Sequence, residues 1–243
     1  MDDISTAMVL AAGLGTRMRP AALDRPKPLV PLAGRPLIDP VIARLEAAGV
    51  ARIVVNVHHR ADQIEQHLAA CQRRSRIVIS DERERLLDTG GGVKKALGLL
   101  GRDGFIVHNS DSVWLEPHGS NIARLKAAWD PAKMDCLLLL ALSSASVGYE
   151  GRGDFSLDGE GRIRRRRENE VVPFVYTGVQ ILHPRSFDAT PEGAFSNNLV
   201  WNQAILAGRA YGIRMDGLWM HVGSPVELGA AEAVLATDTM PTQ

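Results

Sequence analysis

The stretch Met8-Val9-Leu10-Ala11-Ala12-Gly13-Leu14-Gly15-Thr16-Arg17-Met18 decides how this chain is read. Met8 to Ala12 is a short apolar run of the kind that forms a buried strand. A Gly-x-Gly turn follows, and the backbone amides of such a turn can face a phosphate. Three readings open here. The dinucleotide fingerprint needs a third glycine three places after the second, where this chain has Met18. It also wants an acidic residue near the end of the second strand to hold a ribose, where this chain has His58 and His59. A P-loop needs Gly-Lys-Ser or Gly-Lys-Thr, which the turn lacks. What remains is a phosphate turn followed by Arg17, whose planar and permanently charged guanidinium can fork two phosphate oxygens. A plain strand-to-helix turn is the alternative, and the turn alone does not separate the two.

The next segment adds weight to the phosphate reading. Pro26-Lys27-Pro28 sets one lysine between two prolines, which restrict the backbone and keep a helix from forming. Lys27 therefore reads as a second cation aimed at the same polyphosphate, against the plainer reading of a surface lysine in a loop.

Outward from the turn, apolar runs alternate with helical patterns. Leu37, Ile38, Val41, Ile42 and Leu45 recur at helical spacing, with Gly49 placed to cap. Strands are expected at 53–57, 77–79 and 105–108, with helices at 63–70 and 93–100, the latter opened by Gly90-Gly91-Gly92. Strand and helix in alternation predict a mostly parallel sheet with helices on both faces. After Asp111 the rhythm changes. A helix is expected at 122–129, strands at 136–142, 175–182 and 218–222, hairpins and loops at 148–167, and a helix at 197–207. Ser224-Pro225-Val226-Glu227 is a capping box that starts a last helix with proline at its first position. The expected organisation is one domain over 1–243, with 1–111 binding nucleotide and 112–243 supplying the sugar-phosphate side.

Composition narrows the function classes. The 243 residues are 45% hydrophobic and 23% charged, ordinary for a globular chain. Lys plus Arg and Asp plus Glu both number 28, so no basic excess points to nucleic acid. The basic run Arg162 to Arg167 lies beside Glu168 and Glu170 and reads as a solvated hairpin. Cys71 and Cys136 are too few for a disulfide framework or a zinc pattern, and each reads as a small buried hydrophobe. No apolar run reaches the length of a membrane span, and the acidic start is not a signal peptide. A cytoplasmic monomer is expected.

The run LAAGLGTRMRPAALDRPKPLVPLAGRPLI, residues 10–38, resembles the signature of the sugar-1-phosphate nucleotidyltransferases. Further landmarks recur in order: the glycine-rich 89–92, Asn109-Ser110-Asp111 at a strand end, and Leu218-Trp219 followed by Gly223-Ser224-Pro225. Within that family the likeness is nearest to bacterial N-acetylmuramate 1-phosphate uridylyltransferases. Asp88-Thr89-Gly90-Gly91-Gly92, Gly151-Arg152-Gly153-Asp154-Phe155 and the short length carry that likeness. The resemblance implies a Rossmann-like three-layer α/β/α sandwich with a mixed, mostly parallel central sheet. It implies transfer of a nucleoside monophosphate from a nucleoside triphosphate to a sugar 1-phosphate, with pyrophosphate released. The residues it implies for the nucleotide are Ala11, Ala12, Gly13, Gly15, Thr16, Arg17, Lys27, Gly90, Gly91 and Asn109. For the sugar phosphate it implies Asn109, Asp154 and Thr177. Arg17, Lys27 and Asp111 take the catalytic roles, with Asp111 binding Mg²⁺.

Two departures stand out. The family's second metal carboxylate, in a Trp-x-Asp-x-Gly-Thr run, is replaced by His221. Imidazole suits Mn²⁺ or Co²⁺ better than Mg²⁺. His221 as a metal ligand, as a donor to a metal-bound water or phosphate, and as a core histidine all remain open. The family's lysine in a Glu-Lys-Pro run is also missing, which leaves the grip on the sugar phosphate unidentified. Other substrate pairs stay in play: mannose 1-phosphate with GTP, or glucose 1-phosphate with UTP or dTTP. A non-catalytic nucleotide-sensing relative is the reading from another class.

Overall fold

The computed structural model describes residues 4–18, 24–116 and 119–238. Residues 19–23 of the quoted signature run, and the two ends of the expected 1–243 domain, lie outside the described residues. The chain begins with β1 (Thr6–Leu10), then β2 (Pro31–Leu32), β3 (Arg35–Pro36), α1 (Ile38–Ala47), β4 (Arg52–Val57), α2 (Ala61–Ala70), β5 (Arg76–Asp81), α3 (Asp88–Leu100) and β6 (Phe105–Asn109). It continues with β7 (Val113–Leu115), α4 (Asn121–Ala128), β8 (Cys136–Leu142), β9 (Phe155–Leu157), β10 (Ile163–Arg165) and β11 (Phe174–Leu182). It closes with α5 (Asn197–Leu206), β12 (Ala210–Arg214), β13 (Leu218–Met220) and α6 (Pro225–Asp238). Among the described residues no helix is long and apolar enough to cross a membrane.

Strands β5, β4, β1 and β6 lie side by side and parallel. β11 pairs antiparallel with β6, β8 antiparallel with β11, and β12 parallel with β8. The β9–β10 hairpin joins the end of β11. The sheet is therefore mixed, and parallel across β5, β4, β1 and β6, as the alternation of strand and helix predicts.

Each central strand is apolar on both sides because helices cover both faces. Ala7 and Val9 of β1 join Ile53, Val55 and Val57 of β4 under α1, α2 and α4. Met8, Val54 and Val107 point the other way, under Val93 and Ala96 of α3 and Val200 and Trp201 of α5. Fully burying one such side chain contributes ~1.5–3 kcal/mol. A third cluster lies away from the sheet. Met18, Val30, Leu32, Leu37, Val113, Met220, Val222 and Ala231 pack together, with Leu228, Val234 and Leu235 of α6 against them.

Several elements differ in detail from expectation. The three glycines lie inside α3, which starts at Asp88. The capping box at α6 is displaced by one residue: Ser224 Oγ accepts from Glu227 N at 3.4 Å, but the Glu227 carboxylate accepts from Gly223 N at 2.6 Å. Cys136 is fully buried as expected. Cys71 is only partly buried, because it caps the end of α2 with its Sγ 3.9 Å from His67 Nε2. With Asp39 these two make a group of three potential metal ligands. Burial works to raise the Asp39 carboxyl, but His67 at 2.8 Å and Arg73 at 2.6 Å outweigh it and hold the carboxyl low, so its charge is met without an ion.

His108 sits in β6 with no exposed surface, stacked on Trp114 at 5.3 Å. The Arg44 guanidinium lies 4.3 Å from the centre of the Trp114 ring. Burial pushes the His108 imidazole down to about 3, against the upward pull of the Asn109 carbonyl on Nδ1. An unfolded histidine titrates near 6.5. Between these values the unfolded chain takes up a proton that the folded chain refuses, so stability falls as pH falls through that window. The slope from this one residue approaches ~1.4 kcal/mol per pH unit. Urea unfolding from pH 7 to pH 4 is expected to show a shallower acid decline in His108→Phe than in the wild type. Equal slopes in both proteins would remove His108 as the cause.

Candidate functional site

Strand order reverses at β1: the chain runs from β1 out to β4 and β5 on one side, then returns to β6 on the other. In open α/β sheets, ligands bind at the carboxyl ends of the strands beside such a reversal. A cavity of about 670 Å³ lies there, lined by the 10–18 turn, Lys27, Asn109 to Asp111, Leu86, Asp88, Thr89 and Gly223. Ala194 and Asn56 complete the lining used below.

The glycine turn is built by two neighbours. Gly15 has φ +60, and a methyl group there would press on Lys27 Cβ at 3.0 Å, so glycine both makes the turn and admits Lys27. Met18 N bonds Gly15 O at 2.9 Å, and the Met18 side chain is fully buried in the third cluster. That anchor leaves Gly13, Thr16 and Arg17 exposed in the cavity lining. The residue that excludes a dinucleotide fingerprint is thus the one that pins the turn to α6. Ala11 and Ala12 also line the cavity but are buried, and the Ala11 amide donates to Asn56 Oδ1 at 2.7 Å.

Lys27 opens a short turn whose N-cap is Pro26, with Leu29 N bonded to Pro26 O at 2.9 Å and Val30 N to Lys27 O at 3.0 Å. The rigid segment carries Lys27 Nζ onto Asp111 Oδ2, an ion pair and hydrogen bond across the cavity. Arg17, Lys27 and Asp111 are therefore gathered at one place. Asn109 lines the same cavity, and it fits because Gly178, with φ +88, has no side chain. A methyl group there would lie 3.0 Å from Asn109 Nδ2 and still closer to Ser112 Oγ.

Four expected contacts lie elsewhere. Gly90 and Gly91 are buried and donate their amides to Phe195 O at 2.8 and 3.0 Å. A methyl group on Gly91 would lie 2.1 Å from Gly193 O, so these positions are glycine because α3 presses on the 193–195 segment. Leu86, Asp88, Thr89 and Ala194 form the cavity wall in their place. Thr177 is buried and its hydroxyl donates to Leu139 O at 2.8 Å. Asp154 accepts from Tyr176 N at 2.9 Å. Neither of these two is part of the cavity lining.

His221 stands beside the cavity rather than in its lining. Its Nε2 lies 3.7 Å from Glu227 Oε2, and its ring lies against Trp219 and Tyr149 at 5.6 and 6.5 Å. A methyl group on Gly223 would lie 2.8 Å from His221 Nε2, 2.8 Å from Glu227 Oε2 and 3.4 Å from Arg17 Nη1. Histidine, carboxylate and arginine thus converge over one glycine of the cavity. Asp111 in the lining and His221 beside it are the groups that would hold a divalent ion here, the carboxylate suiting Mg²⁺ and the imidazole suiting Mn²⁺ or Co²⁺. Gly223 and Asn56 were not singled out by sequence. Gly223 stood in the quoted Gly-Ser-Pro landmark, and Asn56 was the one polar residue in the run Ile53 to Val57.

Residues 7–143 match the model of the MobA-like NTP transferase domain. The chain is 49% identical to the N-acetylmuramate alpha-1-phosphate uridylyltransferase of Caulobacter vibrioides, over 95% of this chain and 96% of that one. It is 34% identical to the enzyme of the same name from Neisseria meningitidis, over 94% and 97%. Its fold is similar to that of an apo UDP-glucose pyrophosphorylase, with a TM-score of 0.80 at 14% identity, covering 98% of this chain and all of that one.

The crowding over Gly223 can be tested directly. Gly223→Ala is expected to slow pyrophosphate release about tenfold to a hundredfold, because a displaced Arg17 or His221 loses its alignment. Circular dichroism checks that the fold persists. Full activity in that variant would show that the convergence has no functional weight.

Proposed function

Because the chain belongs to the sugar-1-phosphate nucleotidyltransferases that carry the MobA-like NTP transferase domain, we propose that it transfers the uridylyl group of UTP to N-acetylmuramate 1-phosphate, releasing pyrophosphate. The observation that carries this reading is the similarity to the Caulobacter vibrioides enzyme along nearly the whole of both chains. The gathering of Arg17, Lys27 and Asp111 at the strand-order reversal supports it. The reading brings with it a cytoplasmic monomer that works in peptidoglycan recycling.

The chemistry follows from charge. An oxygen of the sugar 1-phosphate attacks the α-phosphorus of UTP, and pyrophosphate leaves in line. The attacking phosphate is already ionised near neutral pH, so no side-chain base is required. The protein's task is to hold two polyanions together and in line. Arg17 forks phosphate oxygens from the end of the glycine turn. Lys27, which pairs with Asp111 in the cavity, presents its ammonium to the phosphates. Asp111 and His221 would hold Mg²⁺, which supplies charge neutralisation between the two phosphates. Asn109 faces the nucleotide or the sugar at the same strand end. Asp154 and Thr177 support the sugar side from within the sheet, given their bonds to Tyr176 N and Leu139 O.

Pyrophosphate release across UTP, GTP and dTTP, each with N-acetylmuramate, mannose and glucose 1-phosphates, tests the substrates. UTP with N-acetylmuramate 1-phosphate is expected to exceed every other pair at least about tenfold in kcat/KM, a margin of ~1.4 kcal/mol. Preference for another pair would move the substrate assignment. No release with any pair would favour a nucleotide sensor.

The metal assignment has its own test. Wild type is expected to use Mn²⁺ or Co²⁺ relatively better than His221→Asp, which should shift preference toward Mg²⁺. The same ratio of activities in Mg²⁺, Mn²⁺ and Co²⁺ for both proteins would take His221 off the metal.

A further inference from the structure

A carboxylate that is not itself in the cavity lining lies behind its walls. Glu82, just after β5, is 1% exposed, and among the described residues no cation pairs with it. Its Oε1 accepts from Asn56 Nδ2 at 2.7 Å, and its Oε2 accepts from Leu87 N at 3.1 Å. Asn56 is itself 2% exposed, and its Oδ1 accepts from Ala11 N at 2.7 Å. A hydrogen-bonded chain therefore runs from the amide that begins the glycine turn, through Asn56 and Glu82, to the amide that begins α3. Its two ends are the two sides of the cavity, the 11–17 turn and the Leu86–Thr89 wall.

The surroundings are shaped for this chain. A methyl group on Gly92 would lie 2.7 Å from Glu82 Oε1 and 2.9 Å from Asn56 Nδ2, so the third glycine of the triple makes room for the pair. The main chain of Glu82 is fastened on both sides, with its N bonded to Val57 O at 2.8 Å and its carbonyl accepting from Arg85 N at 3.0 Å. His58 Nδ1 lies 2.7 Å from the same carbonyl. The carboxylate stands at the amino end of α3, where the helix dipole favours negative charge. Each acceptor in the chain is matched to one donor, and a buried polar chain of this kind rigidifies what it connects when every member is satisfied.

We propose that Glu82 is a positioning residue for the nucleoside triphosphate: through Asn56 and Leu87 it sets the spacing between the phosphate-binding turn and the wall of the cavity formed by the start of α3. This rests on the nucleotidyltransferase reading above. Glu82 touches no substrate, so its effect belongs to nucleotide binding and not to the chemical step or to the sugar phosphate.

The polarity of the chain provides the test. In Glu82→Gln, one amide hydrogen faces a donor and the chain is broken. In Asn56→Asp, two carboxylates face each other. The double variant Glu82→Gln with Asn56→Asp restores every bond, with only the polarity of the central side-chain bond reversed. The carboxylate introduced at position 56 would accept from Ala11 N and from the amide introduced at position 82, whose oxygen accepts from Leu87 N. UTP binding with Mg²⁺ is measured by calorimetry, beside steady-state kcat and both KM values. Each single variant is expected to bind UTP at least about tenfold more weakly, which is ~1.4 kcal/mol. Its kcat at saturation and its KM for the sugar phosphate should stay within about threefold of wild type. The double variant should recover UTP affinity to within about threefold. Singles that bind UTP as wild type does, a double no better than the singles, or a loss confined to kcat would each overturn the proposal. If Glu82→Gln does not fold, Asn56→Asp against the double variant carries the same comparison. A wild type that binds no nucleoside triphosphate would instead overturn the function proposed above.

Discussion

β1 pairs in parallel with β4 through Leu10↔Asn56 and with β6 through Leu10↔Asn109. Everything that follows β1 and β6 therefore emerges at the same edge of the sheet. The glycine turn and the 109–111 segment meet there because the chain crosses from one side of β1 to the other between β5 and β6. The strands are apolar on both faces, so a one-residue slip of register would carry Met8 or Val54 from one helical layer to the other. The register is thus held by burial, and the site inherits that precision without any residue of its own being responsible for it.

On that edge, charge and packing divide the work. The Lys27–Asp111 pair holds a cation and a carboxylate of the cavity against each other. Such a pair, partly open to water, adds little to stability. In the function proposed here, its value lies in keeping a cation and a carboxylate beside the glycine turn. Arg17 has no such partner among the described contacts and is held instead through its neighbour. Met18 is buried with Val222 and Ala231, which ties the turn to the far end of the chain. The same C-terminal segment brings Gly223, His221 and Glu227 to Arg17. His221, Glu227 and Arg17 thus all lie close around the one position Gly223.

Much of the fold was legible in residue pattern. The apolar run 8–12, most of the alternating strands and helices, and the proline at the start of α6 appear where the sequence places them, within a residue or two; α3 starts five residues earlier than expected, and β12 was not expected. Arg17 and Lys27 were legible from their types and positions as cations suited to phosphate, Asp111 was named through the resemblance, and the three meet in one cavity. The triple glycine was legible as a landmark but not as a structure. Gly90 and Gly91 yield to the 193–195 segment and Gly92 to Glu82 and Asn56, contacts that join positions far apart in the chain. Thr177 and Asp154 were named only through the resemblance, as sugar contacts, and their bonds run to Leu139 O and from Tyr176 N.

The sequence by itself determined the class of fold and the kind of chemistry, because periodicity, glycine turns and fixed charges act over a few neighbouring residues. It could not determine which groups share a bond. That Lys27 closes on Asp111, that Asn56 and Glu82 link the two sides of the cavity, and that His221 faces Glu227 over Gly223 depend on distances of a few ångströms between residues that are remote in the chain. Only the packing of β1 between β4 and β6, and of α6 against Met18, brings them within that range.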